Sequence, residues 1–328
     1  MIRLAINGFG RIGRMAARVV QQHEGIELVA INDLADIKTL GYLFKYDSVH
    51  GGFDGTLEVL SDGLLINGIK TQVFSQKSPK DLPWKELNID VVIEATGFFR
   101  KREDANQHIE AGAKKVIISA PASSDDITTV VIGINDEVVK DQTILSNASC
   151  TTNSLAPLVK ILDELCEIES GYITTIHSYT GDQRLLDAPH KDLRRARAAA
   201  VSIVPTSTGA AKAITKIFPR LEGQLGGAGV RVPVPDGSLT EFTCVVKNPK
   251  SIEAINAAFK LASETHLKGI LEYTEEPIVS IDIVGSPYSC VFDAQLTSVI
   301  GNLVKVVGWY DNEMGYSNRI IELVKRIG

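Results

Sequence analysis

The 328-residue sequence is short of several things, and each shortage narrows the field. Nowhere do eighteen apolar residues run together, so no helix long enough to cross a bilayer is expected. The opening Met1-Ile2-Arg3-Leu4-Ala5-Ile6 meets glycines before a signal-peptide core could be completed, which sets the expectation of a cytoplasmic protein without membrane attachment. There are only four cysteines, Cys150, Cys166, Cys244 and Cys290, scattered with no C-x-x-C pair. Neither a disulfide framework nor a metal site is suggested, and in a reducing compartment any special cysteine is expected to be chemical. Positive charge is in deficit: 34 Lys and Arg face 40 Asp and Glu, a net charge of −6. No overall basic field is available to grip nucleic acid or anionic lipid, and no specific nucleic-acid partner is expected.

What is present is an ordinary globular composition, 44% hydrophobic and 23% charged, on a chain long enough for two domains with self-sufficient cores. The first 150 residues alternate short β-rich runs with helical patterns, the signature of β-α-β units and a largely parallel sheet. The expected strands are Arg3–Ile6, Leu28–Ile31, Val91–Glu94, Lys115–Ser119 and Thr129–Ile132. Between the first two, Arg11–Gln22 carries Ile12, Met15, Ala16, Val19 and Val20 at helical spacing, one buried face. Leu57–Leu60 and Leu64–Ile66 flank Ser61-Asp62-Gly63 and read as a hairpin, because Asp-Gly readily supplies positive φ.

After residue 150 the pattern changes. A helix over Thr151–Cys166 is followed by longer alternating strands such as Leu239–Lys247 and Leu303–Trp309, an α+β half. The chain closes on a helical period, with Met314, Ile320, Ile321, Val324 and Ile327 on one side and Arg319, Lys325 and Arg326 on the other. The fold expectation is therefore α/β, a mostly parallel dinucleotide-binding domain over 1–149 plus an α+β catalytic domain over 150–311 with a mixed or antiparallel sheet. Helix 312–328 is expected to pack back onto the first domain.

Gly8-Phe9-Gly10-Arg11-Ile12-Gly13 matches G-x-G-x-x-G between an expected strand and an expected helix. Gly8, Gly10 and Gly13 would allow a tight turn, close backbone approach to a pyrophosphate, and close helix–strand packing. Asp33, twenty residues beyond Gly13, ends the next strand, where its carboxylate can accept hydrogen bonds from a ribose diol and would repel a 2′-phosphate. That favours NAD over NADP, although FAD and other adenosine ligands share the glycine pattern, and a ligand-free glycine turn with Asp33 as a helix cap remains open. Thr96-Gly97 and Ser119 offer hydroxyls and open backbone along the same carboxyl edge of the sheet.

Ser146-Asn147-Ala148-Ser149-Cys150-Thr151-Thr152-Asn153 sets one cysteine among small polar residues at a helix start. Helix N-terminal amides stabilise a thiolate and an imidazolium partner would lower the thiol pKa further, so Cys150 is the reactive candidate. Cys166, Cys244 and Cys290 sit in apolar or strand-like surroundings and read as inert. Of six histidines, His177 stands where a strand ends and a loop opens, a place for an acid–base group. His23, His50, His108, His190 and His266 read as surface residues. Ser149, Thr151, Thr208 and Gly209 combine hydroxyls with open backbone. Lys191, Arg194, Arg195 and Arg197 form the one dense basic cluster, and Arg231 stands apart before Pro233. Arginine forks suit a phosphorylated substrate, while a solvated charge run or a subunit contact would also account for the cluster.

With these residues in hand, the chain resembles the phosphorylating glyceraldehyde-3-phosphate dehydrogenase family. The resemblance runs from Asn7–Arg14 through Lys45–Gly51, Ser146–Asn153, His177–Gln183, Pro205–Lys212 and Arg231–Pro233 to Trp309–Glu313, essentially the whole chain. It implies a Rossmann-type first domain, NAD as cofactor, and attack of Cys150 on the aldehyde of glyceraldehyde 3-phosphate with His177 as acid–base. The resulting thioester would be cleaved by inorganic phosphate to 1,3-bisphosphoglycerate. By the same resemblance Thr180, Asp182 and Arg231 surround the substrate phosphate, and Ser149, Thr151, Arg195, Thr208 and Gly209 the attacking phosphate. Arg11, Ile12, Asp33, Lys77, Ser119 and Asn312 contact the cofactor, and Thr180–Val201 packs beside a neighbouring subunit in a homotetramer. The chain departs from the pattern at Lys77, where many relatives have arginine, at Ala188, where NAD-specific relatives often have leucine, and at Ser154 and Met314. Two rivals stand beside this reading: erythrose-4-phosphate dehydrogenase, and a non-catalytic nucleotide-binding protein whose cysteine senses oxidants.

Overall fold

The computed structural model describes residues 1–139 and 142–328. They divide into two compact units. Met1–Val130, Asp136–Ala148 and Ser317–Gly328 form the first, and Val131–Asn135 with Ser149–Tyr316 the second.

The first unit is built on a nine-stranded sheet. Its strands are β1 (Ile2–Asn7), β2 (Ile26–Asn32), β3 (Leu57–Val59), β4 (Gly63–Ile66), β5 (Ile69–Phe74), β6 (Val91–Glu94), β7 (Lys115–Ile118), β8 (Thr128–Thr129) and β9 (Ile144–Ser146). The order across the sheet is β8-β9-β7-β6-β1-β2-β5-β4-β3. Only the β3–β4–β5 excursion is antiparallel, as the Asp-Gly turn anticipates. β1 pairs in parallel with β2 on one side and β6 on the other, so the connections reverse direction beside it and leave a crevice at the carboxyl ends of these strands. Central parallel strands are covered on both faces, which is why Leu4, Ala5, Ile6, Val91, Val92 and Ile93 are all apolar and fully buried. Helix α1 (Arg11–Val20) buries Met15, Ala16, Val19 and Val20 as its spacing predicts, whereas Ile12, expected on the same face, is only half-buried. The strand expected over Thr129–Ile132 is confined to Thr128–Thr129, because only those two residues pair with β9. Helices α2 (Ile37–Lys45) and α3 (Arg102–Glu110) complete this unit's covering.

The second unit holds an eight-stranded mixed sheet. Its strands are β10 (Ile168–Ser178), β11 (Val204–Thr206), β12 (Leu225–Val232), β13 (Ser238–Val246), β14 (Leu271–Thr274), β15 (Cys290–Asp293), β16 (Ser298–Ile300) and β17 (Leu303–Tyr310). Their order is β11-β12-β10-β13-β17-β15-β14, with β16 on β17. The long β13 alternates buried and half-buried residues along its whole length, the period-2 pattern of a strand with two unlike faces. Helices α4 (Cys150–Cys166), α5 (Ala210–Ile217) and α6 (Ile252–Glu264) pack here.

The last helix, α7, covers Met314–Ile327. Ile320, Ile321, Leu323 and Val324 are fully buried. The Lys115 ammonium donates to the Ile327 carbonyl at 2.6 Å, matching a cation to a helix C-terminus. Arg319 corrects the expected polar face: it is 1% exposed, and its guanidinium donates to the half-exposed Glu322 one turn on. No helix among the described residues is long and apolar enough to cross a membrane.

Candidate active site

Cys150 is the first residue of α4. Ser149 caps this helix, its hydroxyl accepting the Thr152 N–H at 3.1 Å, so the sulfur sits where backbone amides point outward. Across from it, β10 runs out at His177 and Ser178, and the His177 Nε2 lies 3.5 Å from Cys150 Sγ. The Nδ1 of the same ring is 2.8 Å from the Ser178 carbonyl. The ring thus stands between the sulfur on its Nε2 side and the Ser178 carbonyl and Arg231 on its Nδ1 side.

Burial works against charge on both members of the pair. Burial pushes the Cys150 thiol up, against the downward pull of Arg231 and of hydrogen bonds from Thr151. Burial, and then the Arg231 guanidinium, push the His177 imidazolium down to about 3. Arg231 donates to the Ser178 carbonyl at 3.1 Å and its Nη1 also touches His177 Nδ1. Burial thus opposes charge on both members of the pair, which face each other at 3.5 Å. Cys244 and Cys290 are fully buried with thiols pushed up to about 12, and Cys166 is also buried and raised. Cys150 alone of the four retains partial access to solvent.

The phosphate candidates fall into this unit too, but several are already engaged. Arg195 donates to the Thr206 hydroxyl from both Nε (3.0 Å) and Nη2 (2.5 Å) and pairs with Asp182. Burial would raise Asp182, but the hydrogen bond and charge of Arg195 hold its carboxyl below the usual range. Thr151 is buried with its hydroxyl on Tyr310. Thr208 accepts the Ala210 N–H at 3.2 Å beside Gly209, which caps α5 and has open space where a side chain would stand. The Thr180 N–H reaches Gln183 Oε1 at 3.3 Å. Two of the four cations in the basic run are paired: Arg197 meets Asp187 at 2.8 Å, and Arg195, besides Asp182, approaches Asp192. Asn312 belongs to this unit as well, its Oδ1 accepting from the hydroxyls of Ser178 (2.8 Å) and Ser238 (2.6 Å).

The nucleotide candidates converge in the first unit. Gly8, Gly10, Asp33, Lys77 and Thr96 line one pocket of about 320 Å³ together with Asn7, Asn32, Leu34, Gln76, Ala95, Phe98 and Phe99. Gly8 has φ +94, and a Cβ on it would lie 2.7 Å from the Thr96 nitrogen. A Cβ on Gly13 would be 2.1 Å from the Gly8 carbonyl, whereas Gly10 faces open space. These are the three separate glycine duties of a dinucleotide turn, and no side chain caps α1, so its N-terminal end is available to an anion. The Asp33 carboxylate is fixed at the strand end by the Phe9 N–H (2.7 Å) and the Ala35 N–H (3.0 Å). The residues present thus fit a dinucleotide. Arg11, Ile12, Gly13, Gly97 and Ser119 do not line the pocket itself; Arg11 pairs with Asp47 at 2.5 Å, and Ser119 donates to the Glu94 carbonyl at 3.0 Å.

Sequence reasoning missed two groups. The Tyr310 hydroxyl sits between Thr151 Oγ1 and Thr175 Oγ1, 2.9 Å from each, and its ring meets the His177 ring edge to face at 6.0 Å. The other group is a buried network under the nucleotide pocket containing Asn7, Asn32, Glu94 and His108. His108 is 0% exposed, a correction to its reading as a surface residue. The only hint was the polar run Arg102–Glu110, which has no apolar stripe of its own and buries just Ala105 and His108, three apart.

Comparison with known proteins places both units. Residues 2–102 match the model described as glyceraldehyde 3-phosphate dehydrogenase, NAD binding domain, and residues 149–312 match that of the C-terminal domain of the same enzyme. The chain is 56% identical to the glyceraldehyde-3-phosphate dehydrogenase of Thermotoga maritima, covering 99% of this chain and 98% of that one. It is 54% identical to the Mycobacterium avium protein of the same name, over 100% and 98%. Against glyceraldehyde-3-phosphate dehydrogenase 2 of Streptomyces avermitilis it is 52% identical over the same shares.

Proposed function

Because the chain belongs to the glyceraldehyde-3-phosphate dehydrogenase family, we propose that Cys150 is the nucleophile and His177 the acid–base group of its NAD-dependent reaction. The activity is the family's: glyceraldehyde 3-phosphate, inorganic phosphate and NAD are converted to 1,3-bisphosphoglycerate and reduced cofactor. The observation that supports these roles is the 3.5 Å approach of His177 Nε2 to a sulfur at a helix N-terminus.

On this reading the Cys150 sulfur bonds to the aldehyde carbon as its proton passes to Nε2, and the imidazolium returns a proton to the oxygen of the hemithioacetal. His177 Nε2 then removes that hydroxyl proton as the carbon is oxidised. NAD, when bound, accepts the two electrons and the hydrogen leaving that carbon. A thioester remains on Cys150. A phosphate oxygen attacks it, the C–S bond breaks, the acyl phosphate departs, and the sulfur recovers its proton. A thiol suits both roles, since sulfur adds readily and leaves an energy-rich acyl group. Arg231, next to His177, suits the substrate's phosphate, with Thr180 and Asp182 beside it. Ser149, Thr151, Arg195, Thr208 and Gly209 serve the attacking phosphate, for which Arg195 would have to share its fork with Thr206 and Asp182. Gly8, Gly10, Arg11, Ile12, Gly13, Asp33, Lys77, Thr96, Gly97, Ser119 and Asn312 would hold NAD.

The same reading makes the working protein a cytoplasmic homotetramer. Exposed Leu185, Leu186, Leu193, Val201 and Ile203 on the 180–203 segment support a subunit contact there. The deciding assay follows NADH at 340 nm with glyceraldehyde 3-phosphate, with and without phosphate. Turnover independent of phosphate or arsenate would reject the thioester route.

A further inference from the structure

Beneath the nucleotide pocket, a chain of hydrogen bonds has its polarity fixed from one end to the other. The Trp84 indole can only donate, and its Nε1 lies 3.0 Å from His108 Nδ1. Nδ1 must therefore be bare, and the ring hydrogen sits on Nε2, which donates to Glu94 Oε2 at 3.0 Å. The same oxygen accepts the Asn7 amide at 2.6 Å. With its NH₂ so used, Asn7 presents Oδ1 to the Asn32 amide at 2.7 Å. Asn32 in turn clamps the backbone of Gln76 both ways, donating to its carbonyl at 2.9 Å and accepting its N–H at 2.8 Å. The other Glu94 oxygen accepts the Thr96 N–H at 2.9 Å and the Thr96 hydroxyl, which itself receives the Phe98 N–H.

Glu94 thus meets four donors, and its two oxygens feed two branches. One ends at Gln76, adjoining Lys77, and the other at Thr96–Phe98, and these are two walls of the pocket. Trp84, His108, Glu94, Asn7 and Asn32 are all buried, and Trp84 is packed among Ala5, Val29, Val92 and Ile118. Fully satisfied buried networks fix one arrangement, because any slip strands a polar group away from water.

We propose that the relay Trp84–His108–Glu94–Asn7–Asn32 is a positioning device for the adenosine half of the dinucleotide, holding the Gln76–Lys77 and Thr96–Phe98 walls at the spacing the ligand needs. It rests on the reading of this pocket as the NAD site. The donor from His108 to Glu94 is its central link, and none of its members touches the reacting atoms.

Two isosteric variants separate positioning from mere stability. In His108→Gln the amide nitrogen replaces Nε2 and keeps the donor to Glu94; in His108→Asn the amide oxygen replaces Nδ1 and keeps only the acceptor for Trp84. Binding of NAD and of ADP-ribose is measured by calorimetry on the full chain, with KM for NAD, kcat and Tm alongside. The expected result is wild-type affinity within about twofold for His108→Gln and about tenfold weaker binding of both ligands for His108→Asn. KM for NAD should rise with kcat at saturating NAD unmoved. Equal affinity in wild type and His108→Asn overturns the proposal, as do losses in the two variants that simply follow their Tm. Failure of the wild type itself to bind either ligand would reject the pocket reading instead.

Discussion

Trp84, His108, Glu94, Asn7 and Asn32 answer one another's hydrogen bonds under the nucleotide pocket, whereas the half-buried Cys150 and the buried His177 are set against a cation, Arg231. The first cluster is a matched set of donors and acceptors, and the second is a pair between which a proton must pass during the reaction. The contrast separates two tasks. Binding calls for walls that do not move, and covalent chemistry calls for groups whose preferred charge changes along the reaction.

The contrast can be broken most severely at the sulfur. Cys150→Ser should lower kcat by on the order of 10⁴-fold or more while NAD binding stays at wild-type strength. Retained turnover would remove Cys150 from the reaction. At the imidazole, His177→Asn should lower kcat by roughly 10²–10⁴-fold, again without weakening NAD binding. On the binding side, Asp33→Ala should weaken NAD by about tenfold and narrow the gap to NADP, read as the ratio of the two KM values. An unchanged ratio would take Asp33 off the ribose.

The smallest effect concerns pH and stability. His177 is held neutral down to about 3 in the folded protein, against an ordinary value of 6.5. Below 6.5 the unfolded chain binds a proton there that the folded one refuses, so stability is lost as pH falls from 6.5 towards 3, at up to about 1.4 kcal/mol per pH unit from this group. Denaturant melts of His177→Asn should show a shallower acid slope across that window, and equal slopes in variant and parent would mean the buried ring is charged.

How much of this the sequence discloses depends on whether meaning is local. Gly8, Gly10, Gly13 and Asp33 are readable because turn geometry, helix start and strand end follow one another along the chain, and each glycine's reason is steric. Cys150 is readable because a helix start acts on the residue at that start. The strands containing Leu4–Ile6 and Val91–Ile93 are readable from continuous apolar runs, and the hairpin at Asp62-Gly63 from its turn. Tyr310 gains its role only because β17 brings it to Thr151 and Thr175, 159 and 135 positions away. Glu94 and His108 lie 14 apart, and nothing in their neighbours announces a partner. The upward push on the Cys150 thiol was missed for the same reason: a helix end is visible in one dimension, but desolvation is a property of everything that closes over it.

The nucleotide pocket has a fixed floor and a free rim, and that division tells an engineer where coenzyme preference can be redesigned. Gly8 and Gly13 admit no side chain, and Asn7 and Asn32 are locked into their neighbours. Leu34, by contrast, lines the same pocket while 61% exposed, directly after Asp33. Libraries confined to positions 34 and 77 would therefore sample new nucleotide tails without unsettling the scaffold that receives them, whereas any change at Asp33 also releases the Phe9 N–H of the glycine turn.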